Sequence, residues 1–230
     1  GADASPGSKI IELRELLASR FPGAIVSRNP AGYLATGVES LDLALEGGLT
    51  KGALTEIVGD SPGTGSGTLI HGLIASAQTT GKRLALIDGG NSFSPDHLNN
   101  KQLATLLWVR CTSVEQALRA TDLLLRDGNL SLLVLDLVGC QEREVRAIPS
   151  TYWYRLQRVC EENGSTALVL SPVAVVAGAV RTLRLARQLD LAALDLLRND
   201  LLACLQLETV HRRTTCRFDS PRHALGQAVG

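Results

Sequence analysis

The sequence lacks any excess of charge of one sign. Its 230 residues include 23 basic and 23 acidic side chains, so the formal net charge is zero. A zero net charge excludes the general electrostatic attraction by which basic proteins bind nucleic acids, and it leaves only local basic patches to consider. Apolar residues make up 45% of the chain, which is enough for a buried core and argues against disorder. The length suits one large domain, or one domain with small appendages.

Cysteine is sparse, and long apolar runs are missing. The five cysteines lie far apart without a Cys-x-x-Cys pair, which argues against a zinc site and against a disulfide framework. Such scattered thiols fit a reducing compartment. No apolar run reaches the length of a membrane span, and nothing resembles a signal peptide. We therefore expect a cytoplasmic protein without a metal site and without membrane contact.

One stretch, residues 53–70, has the layout of a phosphate-binding loop. An apolar strand is predicted at Leu54–Val58, a glycine-rich turn at 59–67, and a helix that begins near Thr68. In such loops glycines let backbone N–H groups face an anion, and the helix N-terminus adds positive potential. The residues assigned to this loop are Gly59, Gly63, Thr64, Gly65, Ser66, Gly67 and Thr68.

The chemistry of the full phosphate-loop motif is missing from this stretch. The motif runs Gly, four residues, Gly, Lys, then Ser or Thr, where the lysine reaches the outer phosphates and the hydroxyl holds Mg²⁺. Here the spacing from Gly59 to Gly65 is one residue longer, Ser66 takes the position of the lysine, and Gly67 that of the hydroxyl. A plain tight turn is the competing interpretation. We therefore predict no cofactor and disfavour ATP with Mg²⁺, although hydroxyl and backbone groups could still hold a phosphate.

Strands alternate with helical segments through the middle of the chain. This alternation predicts an α/β fold with a mostly parallel twisted sheet flanked by helices. Leucines at helical spacing predict a further helix over 177–199, followed by an antiparallel edge hairpin of strands 201–210 and 214–218. The earlier strands are predicted at 83–88, 106–110, 131–137 and 166–171, and the helices at 38–45, 68–80, 95–103, 113–126 and 142–162, the last broken at Pro149.

Residues 1–30 form a small N-terminal extension, and residues 31–230 form the core domain. The extension is predicted as a polar tail, a helix over 9–20 and a short strand over 24–26. It is too small for a core of its own, so it packs on the core domain or contacts another protomer or partner. Its candidate contact residues are Leu13, Leu17, Phe21 and Ile25.

Two further sets of residues are candidates for binding. Trp153 stands between two tyrosines, and it could anchor a protein partner or pack in the core. Arginines make the C-terminal part locally basic, which fits either a DNA backbone contact or a solvated helix face. The arginines assigned to DNA contact are Arg181, Arg184, Arg212 and Arg213.

Taken in order, several segments resemble the RecA/RadA recombinase family. Residues 36–42 and 47–49 resemble the start of its core, and residues 56–59 resemble the strand before its phosphate loop. Residues 133–136 resemble the strand that ends in the Mg²⁺-associated aspartate of the family. The resemblance implies a RecA-like P-loop NTPase core with Asp136 as the Walker B-like residue. It also implies that residues 20–23 join neighbouring subunits.

The departures from the recombinase pattern affect the catalytic groups. Recombinases carry an acidic water-activating residue where this chain has Gly89-Gly90, and a phosphate-sensing glutamine where a strand here ends at Ser171. Their two long DNA-binding loops correspond to short segments here, at 138–148 and 173–180, and the second is apolar. Each lost catalytic group commonly removes about 2.7–4 kcal/mol of transition-state stabilisation. We therefore predict a pseudo-ATPase rather than an enzyme.

This pattern is similar to the ImuA and SulA-like RecA paralogues, which have a degenerate Walker A motif. The resemblance implies a non-hydrolysing accessory or adaptor in the DNA damage response, in SOS mutagenesis and translesion synthesis. Translesion polymerase components, RecA or a second copy of this chain are the implied partners, with weak DNA binding at most. The ImuA side is favoured because the core is recombinase-like. The alternatives are an ATP-dependent recombinase with an unorthodox nucleotide site and a SulA-like inhibitor of cell division.

Overall fold

A seven-stranded sheet forms the centre of the protein. The computed structural model describes residues 32–59, 63–186 and 198–210. The strands of this sheet are β3 (Leu54–Val58), β4 (Leu84–Asp88), β5 (Leu106–Arg110), β6 (Leu132–Asp136), β7 (Ala167–Ser171), β8 (Arg181–Leu185) and β9 (Leu207–Thr209). They lie in the order β5–β4–β6–β7–β3–β8–β9. The first six strands of this order run parallel, and β9 pairs antiparallel with β8.

The four central strands are buried along their whole length, which explains their nearly continuous apolar sequences. Alternate residues point to opposite faces of the sheet. In β4, for example, Leu84 and Leu86 belong to one core, whereas Ala85 and Ile87 belong to the other. The sheet therefore separates two hydrophobic cores, as the alternation of strands and helices predicts. The expected mostly parallel α/β sheet with an antiparallel edge is confirmed.

Helices cover both faces of the sheet. The helices are α1 (Glu39–Ala44), α2 (Ser66–Thr80), α3 (Asn100–Thr105), α4 (Val114–Asp127), α5 (Glu142–Arg146), α6 (Ser150–Asn163) and α7 (Arg198–Ala203). Helix α2 contributes to the first core, and α4 and α6 contribute to the second. A separate antiparallel ribbon joins β1 (Tyr33–Leu34) to β2 (Leu49–Thr50).

Local sequence signals set several helix ends. The Oγ of Ser113 accepts the backbone N–H of Gln116, so Ser113 caps α4. Pro149 separates α5 from α6, which confirms the predicted break. Asn99 and Gln102 form a reciprocal capping box at the start of α3, which therefore begins later than the predicted segment 95–103.

The C-terminal part differs from the prediction. Residues 181–185, expected within a helix, form β8, and α7 occupies the start of the expected strand 201–210. Residues of β8 pair with β3 over four consecutive positions, so tertiary pairing overrides the helical spacing of the leucines. The antiparallel edge is therefore built from β8 and β9. The predicted strand 214–218 and the N-terminal extension 1–30 lie outside the described residues.

None of the helices in the described part of the chain is both long and apolar enough to cross a lipid bilayer. The same residues contain no group of three or more His, Cys, Asp and Glu side chains that could hold a metal ion.

Candidate nucleotide site

The glycine-rich turn lies at the carboxyl end of β3, where it leads into α2. Gly63 and Gly65 have positive φ angles of 80° and 99°, a left-handed conformation that glycine adopts without strain. The carbonyl oxygen of Gly65 accepts the N–H of Leu69, which closes the first turn of α2. Residues 60–62 of this turn are outside the described ranges. The strand, turn and helix therefore have the arrangement that α/β proteins use for phosphate groups.

One side of the turn packs against β3. Thr64 is buried, and a Cβ atom at Gly59 would lie 2.9 Å from its Oγ1. The N–H of Gly59 donates to the carbonyl oxygen of Ser171 at 2.9 Å, which ties the start of the turn to the end of β7. Thr64 is therefore a packing residue at this point.

The two positions that depart from the phosphate-loop motif lie in the first turn of α2. Ser66 and Thr68 are half-buried, whereas Gly67 is exposed. A Cβ atom at Gly67 would meet nothing within 4 Å, so a larger side chain fits there. None of the loop residues carries a positive charge to balance a phosphate.

Two buried aspartates end neighbouring strands of the same sheet. Asp88 of β4 and Asp136 of β6 are register partners. Both carboxylate oxygens of Asp88 accept backbone N–H groups, from Ser92 at 2.9 Å and from Phe93 at 3.1 Å. Asp88 therefore shapes the turn that follows β4, a role that the sequence analysis did not assign to it.

Asp136 is 5% exposed, and its Oδ1 accepts the N–H of Val138 at 3.0 Å. Burial raises the pKa of Asp136 to about 6, and the nearby charge of Asp88 acts in the same direction, whereas the hydrogen bond from Val138 opposes it. No ion pair joins Asp136 to a lysine or arginine within the described residues. The residue assigned as Walker B-like therefore lies in an environment that penalises its charge.

The chain leaves β4 and β6 toward opposite faces of the sheet, which opens a crevice between their carboxyl ends. Gly89 and Gly90 line this crevice. A Cβ atom at Gly89 would lie 2.8 Å from the carbonyl oxygen of Asp136 and 2.9 Å from Leu137 Cδ2. A Cβ atom at Gly90 would lie 2.8 Å from the backbone of Gly139. Backbone therefore occupies the space that side chains at both positions would need.

A cavity of about 330 Å³ adjoins the two glycines, and two thiols line it. Burial raises the pKa of Cys140 to about 11, with a further contribution from Asp136. Burial also raises the pKa of Cys111, and Asp88 adds to that effect. Both thiols are therefore protonated at neutral pH, and they are poor nucleophiles and poor metal ligands in this state.

Ser171 stands where the recombinase resemblance places the phosphate-sensing glutamine. It is completely buried, and its Oγ donates to Oε1 of Glu56 at 3.2 Å. The side chain at this position therefore faces a protein carboxylate. Glu56 was missed as a functional candidate, although an acidic residue within the apolar strand Leu54–Val58 was a visible signal.

The structure does not support two of the contact assignments. Trp153 is completely buried in the second core, so it presents no surface to a partner, whereas its neighbour Tyr154 is 58% exposed. Arg181 pairs with Glu46 at 2.9 Å. Because β8 is a strand, Arg181 and Arg184 point to opposite faces and do not form one DNA-binding patch. The remaining assigned contacts lie outside the described residues: Leu13, Leu17, Phe21, Ile25, Arg212 and Arg213.

Comparisons with known proteins relate this chain to RecA proteins. The family model of the RecA N-terminal domain matches residues 26–145, slightly more than half of the chain. The chain is 38% identical over 115 residues to Protein RecA of Rhodococcus opacus, a match that covers 49% of this chain and 33% of that protein. Protein RecA of Mycolicibacterium vanbaalenii is 37% identical over 115 residues, with the same shares. Protein RecA of Streptomyces venezuelae is 33% identical over 116 residues, which are 49% of this chain and 30% of that protein. The chain thus spans about a third of the length of the curated relatives that it matches.

Proposed function

Because the chain belongs to the RecA N-terminal domain family, we propose that it is a RecA-like accessory protein that does not hydrolyse ATP. Its role in this proposal is that of an adaptor in the DNA damage response, as in the ImuA-like paralogues that it resembles. The proposed partners are proteins of that response: translesion polymerase components, RecA or a second copy of this chain. A reducing, cytoplasmic environment, which the scattered cysteines favour, belongs to the same proposal.

The close backbone packing at Gly89 and Gly90 is the observation that carries this proposal. Recombinases need an acidic side chain here to activate the attacking water. In this chain a Cβ atom at Gly89 would lie 2.8 Å from the carbonyl oxygen of Asp136, the last residue of β6, and a Cβ atom at Gly90 would lie 2.8 Å from the backbone of Gly139. A general base at this point would require the surrounding backbone to move away. The loss of the general base therefore involves more than one substituted side chain.

The phosphate loop supports the same conclusion. Phosphoryl transfer depends on positive charge placed around the transferring group. Ser66 and Gly67 supply neither the lysine nor the Mg²⁺-binding hydroxyl, and Asp136 alone remains of the metal-binding groups. Losses of this kind cost about 2.7–4 kcal/mol each, and even without additivity several of them leave little turnover.

Titration of a fluorescent ATP analogue with Mg²⁺, combined with a steady-state ATPase assay, tests the proposal. We expect weak or no binding and no turnover, with and without single-stranded DNA. Micromolar binding together with hydrolysis would contradict the proposal and favour a recombinase with an unorthodox site.

A matched pair of variants separates binding from catalysis. Ser66→Lys with Gly67→Thr restores the two loop groups, and the space around a Cβ at Gly67 is open to 4 Å. We expect this double variant to bind the analogue more tightly than the wild type and still not to hydrolyse ATP. Gly67→Thr alone is the control, since it adds no positive charge.

Direct binding assays test the adaptor role. Immobilised protein should retain a purified translesion polymerase component or RecA, while a tubulin-like division GTPase should polymerise normally in its presence. Inhibition of that GTPase in a pelleting assay, without binding to the polymerase components, would instead support a division inhibitor.

A further inference from the structure

Glu56 lies at the middle of β3, in the centre of the sheet, and is completely buried. Burial of a carboxylate is unfavourable unless hydrogen-bond donors satisfy its oxygens. The donors that surround Glu56 come from the end of β7, from β8 and from the segment between them. We call residues 172–180, which connect these two strands, the β7–β8 segment.

Two backbone groups of the β7–β8 segment donate to Glu56. The N–H of Val175 lies 2.7 Å from Oε1, and the N–H of Val176 lies 3.0 Å from the same atom. Two hydroxyl groups also donate to this carboxylate, Ser171 Oγ at 3.2 Å from Oε1 and Thr182 Oγ1 at 3.3 Å from Oε2. One side chain thus joins both strands to the segment between them.

Other contacts hold the same segment against the sheet. Val176 is completely buried in the second core. The N–H of Val180 donates to the carbonyl oxygen of Leu54 at 2.9 Å. At Gly178, where φ is +83°, a Cβ atom would lie 3.1 Å from the ring of Tyr154. The segment therefore packs on α6 and on β3 along most of its length.

We propose that Glu56 is a positioning residue that holds the β7–β8 segment in one conformation without any ligand. A carboxylate is well suited to this task, because it accepts several N–H and O–H groups at once and charge-assisted hydrogen bonds are stronger than neutral ones. The recombinase resemblance places a mobile DNA-binding loop at the position of this segment. In this chain its conformation depends on a residue of the central strand, so neither nucleotide nor DNA is required to order it. The inference rests on these contacts alone, and it holds whether or not the protein hydrolyses ATP.

Amide hydrogen exchange at Val175 and Val176 tests the inference, with Leu86 of the buried strand β4 as the reference for global stability. In the wild type we expect both valine amides to be protected. Glu56→Ala should accelerate their exchange about 100-fold with less than about threefold change at Leu86, because local opening exposes only the amides of the affected segment. Glu56→Gln should retain most of the protection, since its amide oxygen replaces Oε1 and Thr182 can accept from its NH₂ group.

Glu46→Gln is the matched control, because it removes an exposed carboxylate that pairs with Arg181 on the surface. It should leave the exchange of both valine amides unchanged. If Glu56→Ala does not fold, Thr182→Val tests the inference in its place, since it removes one hydrogen-bond donor to Glu56 and keeps the other donors. We expect it to accelerate exchange at Val175 and Val176 without affecting Leu86.

Three results would overturn the inference. The first is unprotected Val175 and Val176 amides in the wild type. The second is unchanged protection in Glu56→Ala or, if that variant does not fold, in Thr182→Val. The third is a more than tenfold gain in protection when Mg²⁺-ATP or single-stranded DNA is added, because a ligand would then order the segment. Catalytic turnover, measured separately, decides only the proposed function.

Discussion

Asp136 links the stability of the protein to pH. Burial raises its pKa to about 6 in the folded protein, whereas a carboxyl group in an unfolded chain titrates at about 4. Between these two values the folded protein keeps a proton that the unfolded chain has lost. The carboxyl group of Asp136 therefore lowers the free energy of unfolding as the pH rises from about 4 to about 6, and the loss persists at higher pH.

We expect Asp136→Asn to raise the free energy of unfolding by about 1–3 kcal/mol at pH 7.5, because the amide carries no charge and still accepts the N–H of Val138. At pH 4 the gain should fall below about 0.5 kcal/mol, since the native carboxyl group is then protonated. Urea denaturation at both pH values measures the difference. Asp96→Asn, at an exposed position, is the control. A variant that is less stable than the wild type at pH 7.5 would contradict the unfavourable charge at this site.

Gly89 and Gly67 are expected to respond in opposite ways to the same change. Gly89→Ala should lower the free energy of unfolding by about 1–3 kcal/mol, because its Cβ would overlap the carbonyl oxygen of Asp136 and the side chain of Leu137. Gly67→Ala should be neutral or should stabilise by up to about 1 kcal/mol, since it adds a better helix former where the space is open. Thermal unfolding of both variants tests the pair. A fully stable Gly89→Ala would show that the crevice accepts side chains, and it would weaken the case against catalysis.

Among the helices, α4 shows how far local signals determine structure. Its N-cap Ser113, its amphipathic spacing and its left-handed glycine at position 128 all agree with the helix that forms. Ser113→Ala should lower the free energy of unfolding by about 1 kcal/mol, because it removes the acceptor for the N–H of Gln116. Denaturant titration measures this, with Ser94→Ala as the control, because the exposed Ser94 hydroxyl donates to the Asp96 carboxylate and caps no helix. Equal losses in the two variants would indicate that the cap has no specific effect.

β8 and α7 show where local signals fail. The leucines around β8 recur at helical spacing, yet Leu183 and Leu185 lie two residues apart on one face of a strand. Their conformation is set by β3 on one side and β9 on the other, strands that are distant in sequence. Periodicity within one segment contains no information about such partners, so the type of this segment could not be predicted from its own residues.

The balanced charge of the chain bears on its affinity for nucleic acid. With a net charge of zero, and with Arg181 paired to Glu46, we expect single-stranded DNA to bind with a dissociation constant weaker than about 10⁻⁴ M at physiological salt. Fluorescence anisotropy of a labelled oligonucleotide at two salt concentrations measures both the affinity and its salt dependence. Arg181→Ala should change neither quantity. Micromolar binding with a steep salt dependence would favour a recombinase instead.

The sequence alone determined the class of the fold. A continuous apolar composition indicates buried strands such as Leu84–Asp88, and caps and residue spacing indicate helices such as α4. Both signals arise from neighbouring residues, so they can be read from the sequence. Ser66 and the glycines at 89 and 90, on which the proposed loss of catalysis rests, were likewise visible in the printed chain.

Only the tertiary structure decided what surrounds those residues. It placed Trp153 in the core, brought Glu56 to the β7–β8 segment across more than a hundred residues of chain, and pressed Gly89 against the backbone of Asp136. Contacts of this kind depend on how strands are ordered in the sheet and on which loops meet at its carboxyl edge. That order arises from long-range packing, which no local pattern of residues specifies.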